Sequence, residues 1–257
     1  MKKQSGFSVA GVVVGVLAAA LIVVAAIAVI QGNNNATDFS KYDFYSVIGP
    51  DNSNGDIGDH VKGSADAPVL IFEYADYQCP GCASMNPRVN KLVEERDGKL
   101  GVVYRDYLLS YHKNGTAAAS AVEAAGLQGY WKEYADKVFA EQTEWEDASA
   151  SERSTYFDKY FEEVTEGKGD MDRFHEDIAS DRVAKKIAFD GGIGKRVNVE
   201  STPAFFIDGQ PIKWGEAGSV VVNGKEVKWD SAQSGDKFTK LIKEIVATKL
   251  GEDQEED

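Results

Sequence analysis

Cysteine is scarce in this chain: Cys79 and Cys82 are the only two among 257 residues. That excludes a disulfide-stapled scaffold, because neither thiol has any other partner. With only three histidines as well, a four-ligand zinc site built from Cys and His is hard to assemble, so no metal is expected. Basic charge is also short. Lys+Arg number 28 against 42 Asp+Glu, giving a net charge of −14. Apart from Lys2 and Lys3 the first thirty residues are uncharged, so 31–257 carry −16. Such a surface repels phosphate backbones and anionic headgroups, which argues against nucleic-acid binding.

What is present begins with one long apolar run, Val9 to Ile30, broken only by glycine and alanine. It is long enough to cross a bilayer as a helix, and longer than the apolar core of a typical cleavable signal. Lys2 and Lys3 precede it, which places the N-terminus inside and the rest of the chain outside the cytoplasm. Residues 1–30 are therefore expected to be a membrane anchor. Residues 31–62, rich in Asn, Asp, Gly and Ser, are expected to be a linker, with Phe39, Tyr42, Phe44 and Tyr45 available to pack on the domain. The acidic stretch 251–257 reads as a tail.

Between these ends the pattern alternates. Val69–Ala75 reads as a buried strand, Cys79 to Arg96 as a helix with Pro80 in its first turn and a kink at Pro87, and Leu100–Leu109 as a second strand. From about 115 to 191 the periodicity is helical, with a last helix spanning roughly Asp172 to Phe189 and a turn at Gly191-Gly192-Ile193-Gly194-Lys195. Strands return at Ala204–Ile207, Ser219–Val222 and Glu226–Trp229, and a helix covers about Asp236 to Leu250. This order gives an α/β fold with a helical insertion.

Cys79-Pro80-Gly81-Cys82 sits at the strand-to-helix junction. A helix N-terminus offers unpaired N–H groups and partial positive charge, so it favours the Cys79 thiolate, the reactive form in disulfide exchange. Cys82, one turn inward, keeps its proton longer. Cys79 is thus the attacking or attacked sulfur and Cys82 the resolving one. As a mere staple the pair would close a four-residue loop worth only roughly 2 kcal/mol.

The segment Phe72-Glu73-Tyr74-Ala75-Asp76-Tyr77-Gln78-Cys79-Pro80-Gly81-Cys82 resembles the active site of DsbA-like thiol–disulfide oxidoreductases, and Ser201-Thr202-Pro203-Ala204-Phe205-Phe206-Ile207 resembles their second signature. The resemblance covers about Val61 to Leu250, and the domain is set at 63–250. It implies a thioredoxin-like fold with an inserted helical subdomain, a cis-proline at Pro203, and Thr202, Pro203, Pro80 and Gly81 lining the substrate surface. It also implies that Glu73 is a buried acid that relays a proton to or from Cys82. No cofactor is implied beyond the Cys79–Cys82 disulfide. The implied partners are exported proteins with thiols and a membrane quinone-linked thiol oxidase. A reductase or isomerase of the same fold, or a non-catalytic peptide-binding module, are the competing readings. Asp76 is expected to be a cap or turn residue, and His112 a surface residue at a helix start.

Overall fold

A computed structural model describes residues 37–212, 216–230 and 235–252. Phe39–Asp257 forms one unit. The expected anchor lies outside the described residues, as does most of the acidic tail. Among the described residues no helix is long and apolar enough to cross a membrane.

Five strands form one mixed sheet in the order β1-β3-β2-β4-β5: β1 is His60–Gly63, β2 Val69–Ala75, β3 Leu100–Asp106, β4 Ala204–Ile207 and β5 Gln210–Ile212. β2 and β3 run parallel, from Val69↔Leu100 to Ala75↔Asp106. A parallel pair needs a crossover, and α1 (Pro80–Glu95) supplies it, unbroken across Pro87. The other pairings are antiparallel.

Both faces of the central strand are covered, which is why Val69–Ala75 is apolar on both faces apart from Glu73. On one face Val69 and Ile71 pack with Met85, Val89 and Leu92 of α1 and with Phe238 and Ile242 of the C-terminal helix Gly235–Leu250. On the other, Phe72 and Tyr74 meet Phe189 and Ile193.

Between β3 and β4 six helices are inserted: α2 Gly115–Gly126, α3 Trp131–Ala140, α4 Gln142–Trp145, α5 Ala150–Thr165, α6 Met171–Ile178 and α7 Asp181–Arg196. The alanine-rich α2 lets its neighbours approach closely around Tyr134, Trp145, Phe157, Phe161 and Phe174. A further hairpin, β6 Gly218–Val222 with β7 Lys225–Trp229, forms its own two-stranded sheet.

Four expectations need correction. Residues 39–62 are not linker: they hold two one-turn 3-10 helices and β1, and Phe39, Tyr42, Phe44, Tyr45 and Ile48 join the core cluster beside Phe189. The second strand ends at Asp106, short of Leu109. The helix expected over 172–189 is two helices, because the Ser180 side chain accepts from Val183 N and caps a new start. The expected turn at 191–195 is helical. Those glycines serve packing, since a Cβ on Gly194 would lie 2.4 Å from Tyr107 Cδ2, and one on Gly192 would lie 2.5 Å from Phe39 Cζ.

The segment before β1 is fastened chiefly by the buried Arg105, with Lys186 3.7 Å from the same Asp59. Arg105 has all five N–H groups engaged: with both Asp59 oxygens (3.1 and 2.8 Å), Tyr74 Oη (3.0 Å), and the carbonyls of Phe44 (2.6 Å) and Ser46 (3.1 Å). Breaking such a buried pair leaves an uncompensated carboxylate. Arg105→Met should lower the free energy of unfolding by about 3–5 kcal/mol, measured by urea denaturation. A loss below about 1 kcal/mol would show that the strap is held by its aromatics alone.

Candidate active site

The turn out of β2 is fixed before the cysteines are reached. Asp76 is fully buried and acts as a turn residue. Its Oδ1 accepts from Gln78 N (2.9 Å), and its Oδ2 accepts from Leu109 N (2.8 Å) and pairs with His112 Nδ1 (2.8 Å). His112 is therefore no surface residue at a helix start, as the sequence suggested, but part of the turn's support. Gln78 joins the turn to the insertion: Oε1 accepts from Asn114 N (2.6 Å) and Nε2 donates to the Glu146 carbonyl (2.8 Å). Gln142 Nε2 holds the Tyr77 carbonyl at 2.7 Å.

This turn delivers Cys79 to the N-cap of α1, with extended backbone (φ −77, ψ 120) and Pro80 directly after it. Cys79 is 7% exposed and Cys82 fully buried. Both are free thiols. The Cys79 thiol donates to the Thr202 carbonyl at 3.2 Å, and the Thr202–Pro203 bond is cis. The expected substrate-facing residues are thus together: Pro80 and Gly81 on one side, Thr202 and Pro203 on the other. Gly81 has a steric reason to be glycine, since a Cβ there would stand 3.1 Å from Pro203 Cδ and 3.6 Å from Cys79 Sγ.

The two sulfurs are electrostatically unlike. The Cys82 thiol beside it lowers the Cys79 pKa from 9.0 to about 5; burial opposes this, and Thr202 and the N–H groups of Cys82 and Gly81 add to it. Burial pushes Cys82 well above 9.0, and the neighbouring Cys79 reinforces that. The geometry therefore supports a thiolate–thiol pair, the arrangement that exchange chemistry uses.

Beneath the pair lies Glu73, opposite Tyr104 on β3 and Phe205 on β4. It is 2% exposed, and Oε2 has no hydrogen-bond partner. Burial raises its pKa to about 7, tempered by Lys62, and its charge in turn raises Cys82. Lys62 is buried too. It bonds Asn86 Oδ1 and lies 3.8 Å from Asp136, which also accepts from Asn86 and Asn90 at 2.8 Å. Sequence reasoning missed Lys62, Asn86 and Asp136. Lys62 sits on the four-residue strand β1, too short to show a period, and Asp136 comes from the insertion. Among the described residues no three His, Cys, Asp or Glu side chains are placed to hold a metal ion.

A family model described as thioredoxin matches residues 56–244. The chain belongs to the thioredoxin family. Similar solved structures share its fold: alpha-DsbA1 of Wolbachia pipientis (TM-score 0.55, 21% identity, 75% of this chain and 93% of that one) and oxidised BdbD of Bacillus subtilis (TM-score 0.55, 20% identity, 80% and 98%). A thioredoxin-like oxidoreductase from Silicibacter pomeroyi aligns at TM-score 0.52 with 19% identity over 72% of this chain and 91% of its own. Among curated proteins, Na(+)/H(+) antiporter NhaA 3 of Salinispora tropica is 34% identical over 152 residues, and NhaA 1 of Salinispora arenicola is 35% identical over 153. Each match covers 59% of this chain but 22% of the antiporter, so this thioredoxin-family chain matches about a fifth of those relatives.

The depressed Cys79 pKa fixes a stability trend. A thiolate favoured in the folded state adds stability that is full above the ordinary value of 9.0 and is lost as pH falls through about 5. The melting temperature of the reduced protein minus that of the disulfide form should therefore rise steadily as pH increases from about 4 to about 8. A flat difference across that window is the outcome this geometry does not allow.

Proposed function

We propose that this thioredoxin-family chain is a thiol–disulfide oxidoreductase, tethered outside the cytoplasm by residues 9–30, that oxidises cysteines of exported proteins. The observation that carries the reading is the Cys79 thiol at the N-terminus of α1, held 3.2 Å from the Thr202 carbonyl beside Pro203.

In the oxidising direction a substrate thiolate attacks Cys79 Sγ of the disulfide. The Cys79–Cys82 bond breaks, a mixed disulfide forms, and Cys82 leaves as a thiolate. Buried, it must take a proton, and Glu73, titrating near neutrality and acting electrostatically on Cys82, is a carboxyl suited to give one. A second substrate thiolate then attacks the substrate sulfur, and Cys79 leaves as its favoured thiolate. Protein disulfide plus substrate dithiol thus yields substrate disulfide, Cys79 thiolate, Cys82 thiol and one proton. Because the thiolate stabilises the reduced protein, oxidation of the substrate runs downhill. The slot kept open by Gly81 suits an extended substrate backbone pairing with the Thr202 segment. Reoxidation is assigned to a membrane quinone-linked thiol oxidase, in keeping with the anchor.

Cys79→Ser should abolish oxidation of a reduced test protein, and Cys82→Ser, whose Cys79 thiolate attacks a disulfide-bonded test protein, should accumulate the mixed disulfide on gels run without reductant. Unchanged turnover in Cys79→Ser would remove the assignment. The full chain should sediment with membranes after cell lysis. Recovery of the intact full-length chain in the supernatant would remove the tether.

A further inference from the structure

The same face of the sheet that carries Glu73 carries a second acidic system that the reading above leaves unused. His60, Tyr104 and Glu73 stand side by side across β1, β3 and β2. Asp106, two residues beyond Tyr104, is 1% exposed, and no donor reaches either of its carboxyl oxygens. Its backbone N–H bonds Asp190 (3.1 Å). Glu123 of α2, 2% exposed, lies against it and is held on its far side by His60 Nε2 at 2.9 Å. His60 stacks on Trp131, with ring centroids 4.5 Å apart, and is 15% exposed. Here the buried row reaches solvent.

Charge forces a proton into this group. Asp106 is faced by Glu123 from α2, by Asp190 and Lys186 from α7, and by Asp76 from the turn before α1. Lys186 is already paired with Asp190 at 2.8 Å and lies 3.7 Å from Asp59, while Asp76 is paired with His112 and Asp59 with Arg105. Among the described residues no cation is paired with Asp106, and Lys186 only tempers it from its pairing with Asp190. Protonated, it turns from an acceptor without a donor into a donor to Glu123, so one proton satisfies both carboxyls.

The buried cluster that holds the dithiol contains three polar atoms with no well-formed hydrogen bond, Tyr77 Oη, Tyr104 Oη and Trp131 Nε1, and the Tyr77 hydroxyl interacts with both of the others and with the Asp106 charge. The Tyr77 and Tyr104 rings are 5.4 Å apart and those of Tyr104 and Trp131 are 5.6 Å apart. Facing groups of this kind line buried water sites, and a hydroxyl row bridged by water conducts protons.

We propose, resting on the oxidoreductase reading, that Asp106 and Glu123 share a proton that reaches Cys82 through the Tyr104 and Tyr77 hydroxyls, with His60 as the port to solvent. When substrate attack expels Cys82 as a thiolate, the shared proton is a second source for its sulfur beside the proton of Glu73. The deficit is refilled from water through His60 and Glu123. Electrons move only between sulfurs, and one proton enters for each Cys82 thiol formed. Asp106 acts through the row and touches no substrate.

The test compares wild type with Asp106→Asn, a neutral isostere that keeps the shape but holds no transferable proton. Reduction of the disulfide by dithiothreitol is followed by stopped flow across the pH range. Besides the titrations of Cys79 and Glu73, the wild type should show a further inflection that Asp106→Asn removes. Release of Cys82 should slow about tenfold or more, while the ultraviolet titration of the Cys79 thiolate stays in place. An identical profile in the variant overturns the proposal. Should Asp106→Asn not fold, the infrared difference spectrum between oxidised and reduced protein decides it, taken in Glu73→Gln to remove the other acid. A protonated-carboxyl band that shifts with redox state is expected; no such band, or one indifferent to redox state, overturns it. Failure of the wild type to exchange disulfides at all would sink the oxidoreductase reading instead, and the infrared band would still report on the shared proton.

Discussion

The site depends on one placement: the Cys79 sulfur at the N-terminus of α1, facing the Thr202 carbonyl and Pro203. A thiolate there gains, from the Cys82 thiol first and then from Thr202 and the backbone N–H groups of Cys82 and Gly81, what it would otherwise have to take from water. The rest of the fold enforces that position. The parallel β2–β3 pair requires a crossover helix and so aims α1 outward from the end of β2. The β4 pairing sets Thr202–Pro203 against the same end. The insertion then locks the turn, through Gln78 side-chain bonds to Asn114 N and the Glu146 carbonyl and a Gln142 side-chain bond to the Tyr77 carbonyl.

From that placement follows an asymmetry of function. The outer sulfur is stabilised as an anion and the inner one is buried against ionisation. A buried thiolate expelled during exchange is costly until it is protonated, and this gives meaning to the acids kept beneath it. Glu73 has no good partner of its own, and Asp106 none until it carries a proton. Groups left in such positions at a domain's centre cost stability. They stand on the face of the sheet beneath α1, where Cys82 must change its protonation state.

Much of this was legible in the residues. The largely apolar Val69–Ala75 run and Pro80 after Cys79 identify the sheet centre and the helix start from strong local chemistry, while the facing Pro203 loop comes from the family resemblance. The α/β arrangement with inserted helices follows from their order, and its thioredoxin-like character from the family resemblance of the two motifs. What stayed hidden was non-local. β1 and β5 have four and three residues and complete the sheet from its edges, too short for a periodic signal. Gly191 to Gly194 look like a turn until Tyr107 and Phe39 are seen to need their missing side chains. Lys62, His112 and Asp106 are ordinary charged residues in the sequence; only tertiary packing buries them beside Glu73, Asp76 and Glu123.

The central claim is that the thiolate at Cys79 makes the reduced pair the favoured one, and the reduction potential of the Cys79–Cys82 couple, by equilibration with glutathione, tests it most directly. Taking a thioredoxin with pKa about 7 and potential about −270 mV, and gaining about 30 mV for each unit by which the nucleophilic cysteine is further depressed, gives roughly −210 mV; scaling toward DsbA at about −120 mV gives roughly −180 mV. A value between these supports the account. A potential at or below about −270 mV would contradict it, because the thiolate would then lend the reduced pair no advantage.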